Sequence, residues 1–231
     1  MRIDKFIAAN SPLSRSQAKK ALQQGSIKIN GKVVKKADFP VEAQDQVSWQ
    51  NQPLQPLVLR YIMMNKPEGY ISSTQDEAHP SLLNLLKGEP LKDLHVAGRL
   101  DVDTTGLVLI TDDGQWSHQV TSPKKACSKT YRVSLFEKIQ PETIALFAEG
   151  VSLKNDPHKT LPAELVILEQ KLCLLRIQEG RYHQVKRMFA SVGNHVVQLH
   201  RTQIGKVALD KDLGLGEWRH LTQAEIEALA S

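Results

Sequence analysis

The first part of the chain carries two helical patterns in close succession. Apolar residues recur with helical spacing over residues 3–9, which predicts a first helix. A second helix is predicted over residues 15–22, because Ser14 is a favourable N-cap residue and Gly25 supplies the glycine that commonly follows a helix.

A β-hairpin is predicted directly after these helices. Ile27–Ile29 and residues 32–34 flank Asn30-Gly31, a dipeptide that favours the positive φ angles of a two-residue hairpin turn. The alternation places Lys28 on the face opposite to the apolar side chains. The helices and the hairpin therefore form a small α+β unit with cations on its outer surface.

A domain boundary is predicted after this unit. Residues 50–56 are polar, contain two prolines and show neither a helical nor a strand period, so we interpret them as a linker. One domain is expected over residues 1–57 and the other over residues 58–231.

Strand patterns dominate the second domain, and helical patterns interrupt them at irregular intervals. The predicted strands cover residues 61–65, 70–72, 107–111, 129–135, 163–168, 172–177 and 196–201, and the predicted helices cover residues 115–120, 142–148, 182–192 and a last segment opened by Thr222 and Glu225. This mixture predicts an α+β fold with a mixed, largely antiparallel sheet rather than a regular parallel one.

The positive charge is concentrated in the first domain. Residues 1–57 contain nine lysines and arginines and four aspartates and glutamates, which accounts for the whole net charge of +5. The remainder contains 21 residues of each sign. A basic module joined to a neutral body is typical of a protein that binds a polyanion through one domain, although it also suits a merely solvated basic surface.

The composition argues against a membrane, secreted or metal-binding protein. The longest apolar stretches, residues 57–64 and 107–110, are far shorter than the roughly 20 residues that span a bilayer. The first residues lack the apolar core of a secretory signal. Cys127 and Cys173 are the only cysteines and lack the spacing of zinc ligands. We therefore expect a cytoplasmic protein with reduced thiols and no metal.

Residues 97–111 form the most unusual segment. They place Arg99 and Asp101 just before a turn that ends at Gly106 and leads into a buried strand. A carboxylate beside cations stays ionised and can act as a nucleophile, but a carboxylate that is only ion-paired is the commoner case. Asp103 is expected to be structural, as an aspartate that bonds the backbone within a turn. A metal site or a glycosidase carboxylate pair is a weaker alternative, because a single Asp-x-Asp is a weak signal.

A second candidate segment is the helix predicted over residues 182–192. Its apolar positions follow the i, i+3, i+4, i+7 spacing of a buried face. Lys186 falls at the edge of that face, where it can meet a buried carboxylate or, equally well, extend its amine to solvent. His183 and Arg187 point away from the face and are candidates for contacts with phosphate.

The third candidate segment is the predicted strand Lys129–Leu135. Its alternation places Tyr131 on the same face as Lys129 and Val133. An inward tyrosine is usually part of a core, and it can equally stack on a nucleobase.

Together these segments resemble the pseudouridine synthases over essentially the whole chain. Residues 1–7, 14–15, 25 and 29–31 resemble an S4 RNA-binding domain, and residues 98–107 resemble the nucleophile loop of the family. Residues 65–70, 129–131 and 180–188 match its other motifs in the same order. Within the family, the chain is most similar to the branch that modifies the RNA of the small ribosomal subunit.

The resemblance implies a role for each motif. Asp101 corresponds to the nucleophilic aspartate, Tyr131 to the tyrosine that stacks on the target uracil, and Lys186 to a basic partner of the aspartate. Many relatives have arginine at that last position, which forms a planar two-pronged pair that lysine cannot form. The residues expected to bind RNA are Arg2, Lys5, Arg15, Lys19, Lys28, Arg99, Arg181, His183 and Arg187.

The resemblance also implies the reaction. The target uridine leaves the stack, Asp101 attacks either C6 of uracil or C1′ of ribose, and the freed uracil rotates and rejoins through C5 without any metal or cofactor. The implied substrate is one uridine, the uridine 516 site in the 5′ domain of 16S rRNA, met in an assembly intermediate by a monomeric enzyme. The alternatives are a 23S rRNA synthase, a non-catalytic RNA-binding assembly factor and a nucleoside glycosidase.

Overall fold

The computed structural model describes residues 1–42, 44–55, 58–122 and 127–230. The chain separates into two compact units, Met1–Val58 and Leu59–Ser231. The predicted boundary falls at residue 57, which lies outside the described residues together with Pro56 of the predicted linker. Among the described residues, no helix has both the length and the apolar character needed to cross a bilayer.

The helices and strands are numbered here in chain order. The helices are α1 (Ile3–Asn10), α2 (Arg15–Gln23), α3 (Gly114–Thr121), α4 (Glu142–Glu149), α5 (Gln184–Ser191) and α6 (Gln223–Ala230), with a short 3₁₀ helix at Leu82–Leu85. The strands are β1 (Ile27–Ile29), β2 (Lys32–Val33), β3 (Val47–Trp49), β4 (Gln52–Pro53), β5 (Tyr61–Lys66), β6 (His95–Ala97), β7 (Thr105–Thr111), β8 (Lys129–Leu135), β9 (Glu164–Glu169), β10 (Leu172–Ile177), β11 (Val196–Ile204), β12 (Val207–Ala208) and β13 (Trp218–His220).

The N-terminal unit has one hydrophobic core, to which α1, α2 and the strands contribute. Ser14 caps α2 and exchanges hydrogen bonds with Gln17 in a capping box. The hairpin predicted at Asn30-Gly31 is confirmed, since both residues have positive φ and join β1 to β2. Four antiparallel strands follow the order β2-β1-β3-β4.

The prediction of a linker over residues 50–56 is wrong for its first part. Gln50 and Asn51, both with positive φ, form the turn of a second hairpin between β3 and β4. β4 is only two residues long and both are exposed, so no apolar alternation marks it in the sequence. Its proline is compatible with an edge strand, which leaves one side of the backbone unpaired.

The described residues of the C-terminal unit form a sheet of nine strands, seven of them in the order β13-β5-β7-β11-β8-β10-β9, while β6 pairs with β7 and β12 pairs with β11. All pairs are antiparallel except β7 with β11, which confirms the mixed, largely antiparallel sheet. Alternate residues of β5 and β7 enter two separate cores. One core includes side chains of α4 and α5 and the other includes side chains of α3 and α6, so the sheet is covered on both faces.

Two predictions for the C-terminal unit need correction, and three short strands are not predicted. Residues 70–72 do not form a strand, and Ile71 makes only an isolated bridge to Ser81. The helix predicted over residues 182–192 begins at Gln184, because His183 has the left-handed φ of 48° and cannot belong to it. The sequence does not predict β6, β12 and β13, because two or three residues are too short to show a period.

Candidate active site

One cleft of the C-terminal unit brings together the three candidate segments of the sequence. Its volume is about 460 Å³, within the range of small-molecule sites. It is lined by residues 98–101 and 104 of the loop before β7, by Lys129 and Tyr131 on β8, and by the segment around His183 that leads into α5. We refer to residues 98–106 as the Asp101 loop.

The Asp101 carboxylate lies in this cleft between two basic groups. Oδ1 is 3.5 Å from Nε2 of His183 and Oδ2 is 3.4 Å from Nζ of Lys186, and about a third of the side chain is exposed. Both distances exceed the roughly 2.8 Å of a tight charge-assisted hydrogen bond. The carboxylate is therefore oriented by its neighbours and still accessible from the cleft.

Lys186 pairs mainly with Asp103. Its Nζ donates to the two carboxylate oxygens of Asp103 at 2.6 and 2.8 Å. Neither of its two carboxylate partners is buried, since the side chains of Asp103 and Asp101 are 55% and 31% exposed. Burial by itself would raise the pKa of Asp103, but the hydrogen bond and charge of Lys186, a backbone hydrogen bond and the charge of His183 together outweigh it and lower that pKa.

His183 faces the candidate nucleophile and stays partly exposed. The sequence places it on the outer face of a helix, but its left-handed backbone precedes α5 and turns the imidazole toward Asp101. The ring stacks on the exposed ring of Tyr182, with centroids 3.8 Å apart. Residue type and helical spacing do not reveal this geometry, because it depends on one unusual backbone angle.

Lys66 is a buried support of the Asp101 loop that sequence reasoning misses. Its Nζ lies within hydrogen-bond distance of the carbonyl oxygens of Pro67, Asp101, Val102 and Thr104. Burial lowers the pKa of Lys66 to about 8, and the charges of Asp103 and Asp101 oppose this shift. The sequence marks this lysine in two ways, because it ends β5 and it belongs to the motif noted over residues 65–70, but neither shows its contacts.

Arg201 holds the same loop from β11. Its guanidinium is buried and donates to the carbonyl oxygens of Gly98, Arg99 and Leu107 at 2.7, 3.4 and 2.7 Å. Gly106 has a φ of +104°, and a Cβ at that position would lie 2.3 Å from the carbonyl oxygen of Arg201. Glycine is therefore required where the loop enters β7 beside β11.

Tyr131 and Lys129 form part of the cleft wall contributed by β8. Tyr131 is buried at one edge of the core, and Lys129 is half-buried. The pKa of Lys129 is lowered, mainly by burial and in part by the charge of Arg201. Both side chains reach the cleft, as expected for alternate positions on a strand.

Among the cations around the cleft, Arg99 is exposed at its edge. Arg181 forms ion pairs with Asp156 and Glu179, each at 3.0 Å. Arg187 donates to the carbonyl oxygens of Lys154 and Tyr182. A phosphate at either of these two arginines would compete with partners inside the protein, which leaves Arg99 as the more available group.

The five cations expected to bind RNA in the N-terminal unit differ in their partners. Arg2 and Arg15 both bond the buried carboxylate of Asp4, at 3.1 and 3.0 Å, while half of each arginine side chain stays exposed. Burial by itself would raise the pKa of Asp4, but the hydrogen bonds and the charges of Arg15 and Arg2 together outweigh it and lower that pKa overall. Lys28 bonds Asn51, and Lys5 and Lys19 are exposed.

Within the described part of the chain, no three histidine, cysteine, aspartate or glutamate side chains are placed to hold one metal ion. The site consists of one accessible carboxylate, the basic groups around it, and an aromatic wall. Such an arrangement is suited to nucleophilic attack on a flat, uncharged ring held between the cleft walls.

The chain is similar to known proteins over its whole length. The family model for RNA pseudouridylate synthase matches residues 60–191, and the model for the S4 domain matches residues 1–47. Ribosomal small subunit pseudouridine synthase A of Yersinia pestis is 48% identical over 232 residues, covering 100% of this chain and 99% of that protein. The protein of the same name from Haemophilus influenzae is 50% identical over 230 residues, covering 99% of each. A crystal structure described as pseudouridylate synthase matches with a TM-score of 0.73 at 49% identity, covering 99% of each chain.

Proposed function

The chain belongs to the RNA pseudouridylate synthase family, and from this we propose that it isomerises a single uridine of 16S rRNA, the uridine 516 site in the 5′ domain. It is an isomerase with an S4 RNA-binding domain, and its partner is ribosomal RNA. The choice of the small subunit is supported by the full-length relatives named ribosomal small subunit pseudouridine synthase A.

The observation that carries the proposed mechanism is the accessible carboxylate of Asp101 on a loop held from two sides by Lys66 and Arg201. A nucleophile fixed in this way is oriented before the substrate arrives.

Attack at C1′ of ribose forms a bond to Asp101 and breaks the bond from N1 to C1′. Attack at C6 of uracil forms an adduct that permits the same cleavage. In either case the uracil rotates, C5 bonds to C1′, the carboxylate leaves and C5 loses its proton.

The residues around Asp101 would hold the flipped nucleotide. Tyr131 is proposed to stack on the uracil and to help remove the proton from C5. Arg99 is proposed to hold the phosphate of the flipped nucleotide at the edge of the cleft. Lys186 is proposed to keep the Asp101 carboxylate oriented, as a positioning residue bound to Asp103.

The RNA duplex or loop around the target must open, at a cost of a few kcal/mol, before the base enters the cleft. The cations Arg2, Lys5, Arg15, Lys19 and Lys28 of the N-terminal unit, and Arg181, His183 and Arg187 near the cleft, are proposed to offset that cost through contacts with the backbone. The substrate is proposed to be an assembly intermediate of the small subunit, met by a monomeric enzyme in the cytoplasm. The isomerisation is redox-neutral and needs no cofactor.

The test is pseudouridine mapping by carbodiimide-dependent primer extension. The purified protein is incubated with 16S rRNA, as naked RNA and as a partly assembled particle, beside Asp101→Asn and the control Asp38→Asn on the N-terminal unit. The expected result is one new stop at uridine 516 that disappears with Asp101→Asn and persists with Asp38→Asn. Asp101→Asn should still bind 16S rRNA, so that loss of binding does not account for the loss of the stop.

Other outcomes would point to the alternatives. A stop on 23S rRNA and none on 16S rRNA would indicate a large-subunit synthase. Binding to 16S rRNA without a stop on any rRNA would indicate a non-catalytic assembly factor. Release of free uracil would indicate a glycosidase.

A further inference from the structure

The end of β8 opposite to the candidate active site carries an exposed aromatic pair. Phe136 follows the last residue of β8, and 54% of its surface is exposed. Its ring stacks on that of His195, with centroids 4.6 Å apart and planes within 18°. An exposed, nearly parallel ring stack offers a flat apolar surface to a further planar group.

The backbone around this pair is fixed by one buried amide. Asn194 donates from Nδ2 to the carbonyl of Glu137 at 3.0 Å, and its Oδ1 accepts from the backbone amides of Glu137 and His195 at 3.1 and 2.8 Å. Phe136 donates its backbone amide to the carbonyl of His195 at 3.0 Å. The backbone that carries the two rings is therefore fixed before any ligand binds, which lowers the conformational entropy lost on binding.

Positive charge lies beside the rings. Nζ of Lys171 is 5.8 Å from the centroid of Phe136, in the range of a cation–π contact. Lys171 and Lys138 also line an adjacent cleft of about 430 Å³, in which Glu137 is the one acidic side chain among the described lining residues. Cations next to a flat aromatic surface are complementary to a nucleobase and the phosphate attached to it.

Phe136 lies apart from Tyr131 along the same extended stretch of chain. Tyr131 and Phe136 are five residues apart along one strand and its end, which corresponds to about 17 Å at the rise of an extended chain. A few nucleotides of single-stranded RNA can span that distance. A base at Phe136 would therefore belong to the RNA that flanks the target nucleotide, and not be the target base itself.

We propose that Phe136 and His195 form a stacking platform for an unpaired base of the RNA substrate, with Lys171 and Lys138 neutralising its phosphates. The proposal rests on the proposed function, because it takes ribosomal RNA as the ligand. It adds a contact outside the catalytic cleft that contributes to affinity and not to the chemical step. Stacking on an aromatic side chain tolerates any base, so the platform contributes binding without reading the sequence.

The experiment compares Phe136→Leu and Phe136→Trp in the full-length protein, with Leu168→Ala, an exposed residue on β9, as the control. Filter binding gives Kd for 16S rRNA, single-turnover assays at saturating protein give the rate of pseudouridine formation, and thermal unfolding gives Tm. The expected result is a Kd raised about fivefold or more by Phe136→Leu, with Tm and the single-turnover rate unchanged. Phe136→Trp and Leu168→Ala are expected to keep the Kd of the unsubstituted protein.

Lys171→Gln provides a second, independent readout. It is expected to lower the slope of log Kd against log salt, whereas Phe136→Leu leaves that slope unchanged, because only the lysine neutralises a phosphate. An unchanged Kd with Phe136→Leu would overturn the platform. A rise in Kd that accompanies a fall in Tm would also overturn it. Absence of pseudouridine with the unsubstituted protein would count against the proposed function, while the Kd comparison would still decide the platform.

Discussion

Lys186 donates two hydrogen bonds to Asp103, at 2.6 and 2.8 Å. The pair is partly exposed, so its contribution to folding stability is small. Its effect is positional, because the same amine lies 3.4 Å from the carboxylate of Asp101. Asp103 thereby limits where the cation beside the candidate nucleophile can lie.

The first prediction concerns this pair. Asp103→Asn removes the charge that holds Lys186, so the cation loses its fixed place beside Asp101. We expect the single-turnover rate of pseudouridine formation to fall about tenfold, because small displacements in an active site cost rate, with stability changed by less than about 1 kcal/mol. Asp101→Asn in the same assay should remove activity altogether. A rate for Asp103→Asn equal to that of the unsubstituted protein would show that Asp103 does not position Lys186.

The second prediction concerns the buried amine of Lys66. Lys66→Met keeps the volume of the side chain but leaves the carbonyls of Asp101, Val102 and Thr104 without their donor. We expect a loss of about 2–4 kcal/mol in unfolding free energy and a severe loss of activity. Urea unfolding measures the first effect, and the matched variant Lys87→Met, at an exposed lysine, should change neither quantity. A stable, active Lys66→Met protein would contradict this role.

The third prediction compares two glycines. Gly106→Ala would place a methyl group 2.3 Å from the carbonyl oxygen of Arg201 and require an unfavourable φ. We expect a destabilisation of about 3 kcal/mol or more, measured by urea unfolding. Gly114→Ala is the matched control, because nothing lies within 4 Å of the added Cβ and the residue begins α3. Alanine there should leave stability unchanged or raise it slightly.

Local patterns account for the elements that the sequence predicts correctly. The two N-terminal helices, the Asn30-Gly31 hairpin and the longer strands each carry their own period or turn signal, whereas β6 and β13 are too short to show one. The Asp101 loop is recognisable in the sequence, but its supports, Lys66 and Arg201, are not. Their partners are backbone carbonyls, which every residue has, so residue type alone does not reveal the contacts.

The order of motifs along the chain indicates which side chains meet, but not how they pair. His183 and Lys186 do come together around the carboxylate of Asp101. The preference of Lys186 for Asp103 and the inward turn of His183 depend on backbone geometry at single residues. Such geometry is decided by tertiary packing, which a helical period cannot represent.

The fourth prediction is a pH dependence at the start of α6. Hydrogen bonds from Arg219, and from Thr222 at 2.8 Å, lower the pKa of Glu225 to about 2. The folded pKa lies below the unfolded value of about 4.3, so this stabilisation is present above about pH 5 and is lost as the pH falls toward about 2.

Glu225→Gln should therefore cost about 1–2 kcal/mol at about pH 7 and progressively less as the pH falls below about 4. Urea unfolding at about pH 7 and about pH 3.5 gives the two differences. Glu227→Gln, whose carboxylate bonds the neutral Gln223, is the control and should show no such trend. An equal cost of Glu225→Gln at both pH values would rule out the ionised pair as its source.

The fifth prediction concerns the exposed cations of the N-terminal unit. The double variant Lys5→Gln with Lys19→Gln should weaken binding to 16S rRNA and lower the slope of log Kd against log salt by about 0.7–0.9 for each phosphate that is no longer neutralised. Filter binding between about 50 and 200 mM salt gives the slope. The matched double variant Lys87→Gln with Lys92→Gln, exposed on the C-terminal unit, should keep it. An unchanged slope in the first variant would remove these lysines from the RNA-binding surface.

The hydrogen bonds from Arg201 to the Asp101 loop also determine when the site is completed during translation. Arg201 follows Gly98 by 103 residues, so the ribosome synthesises the loop long before the side chain that secures it. Contacts between residues so distant in the chain form only after a large closure entropy has been overcome. A nascent chain therefore has no finished site until β11 has emerged, and the enzyme becomes active only late in its own synthesis.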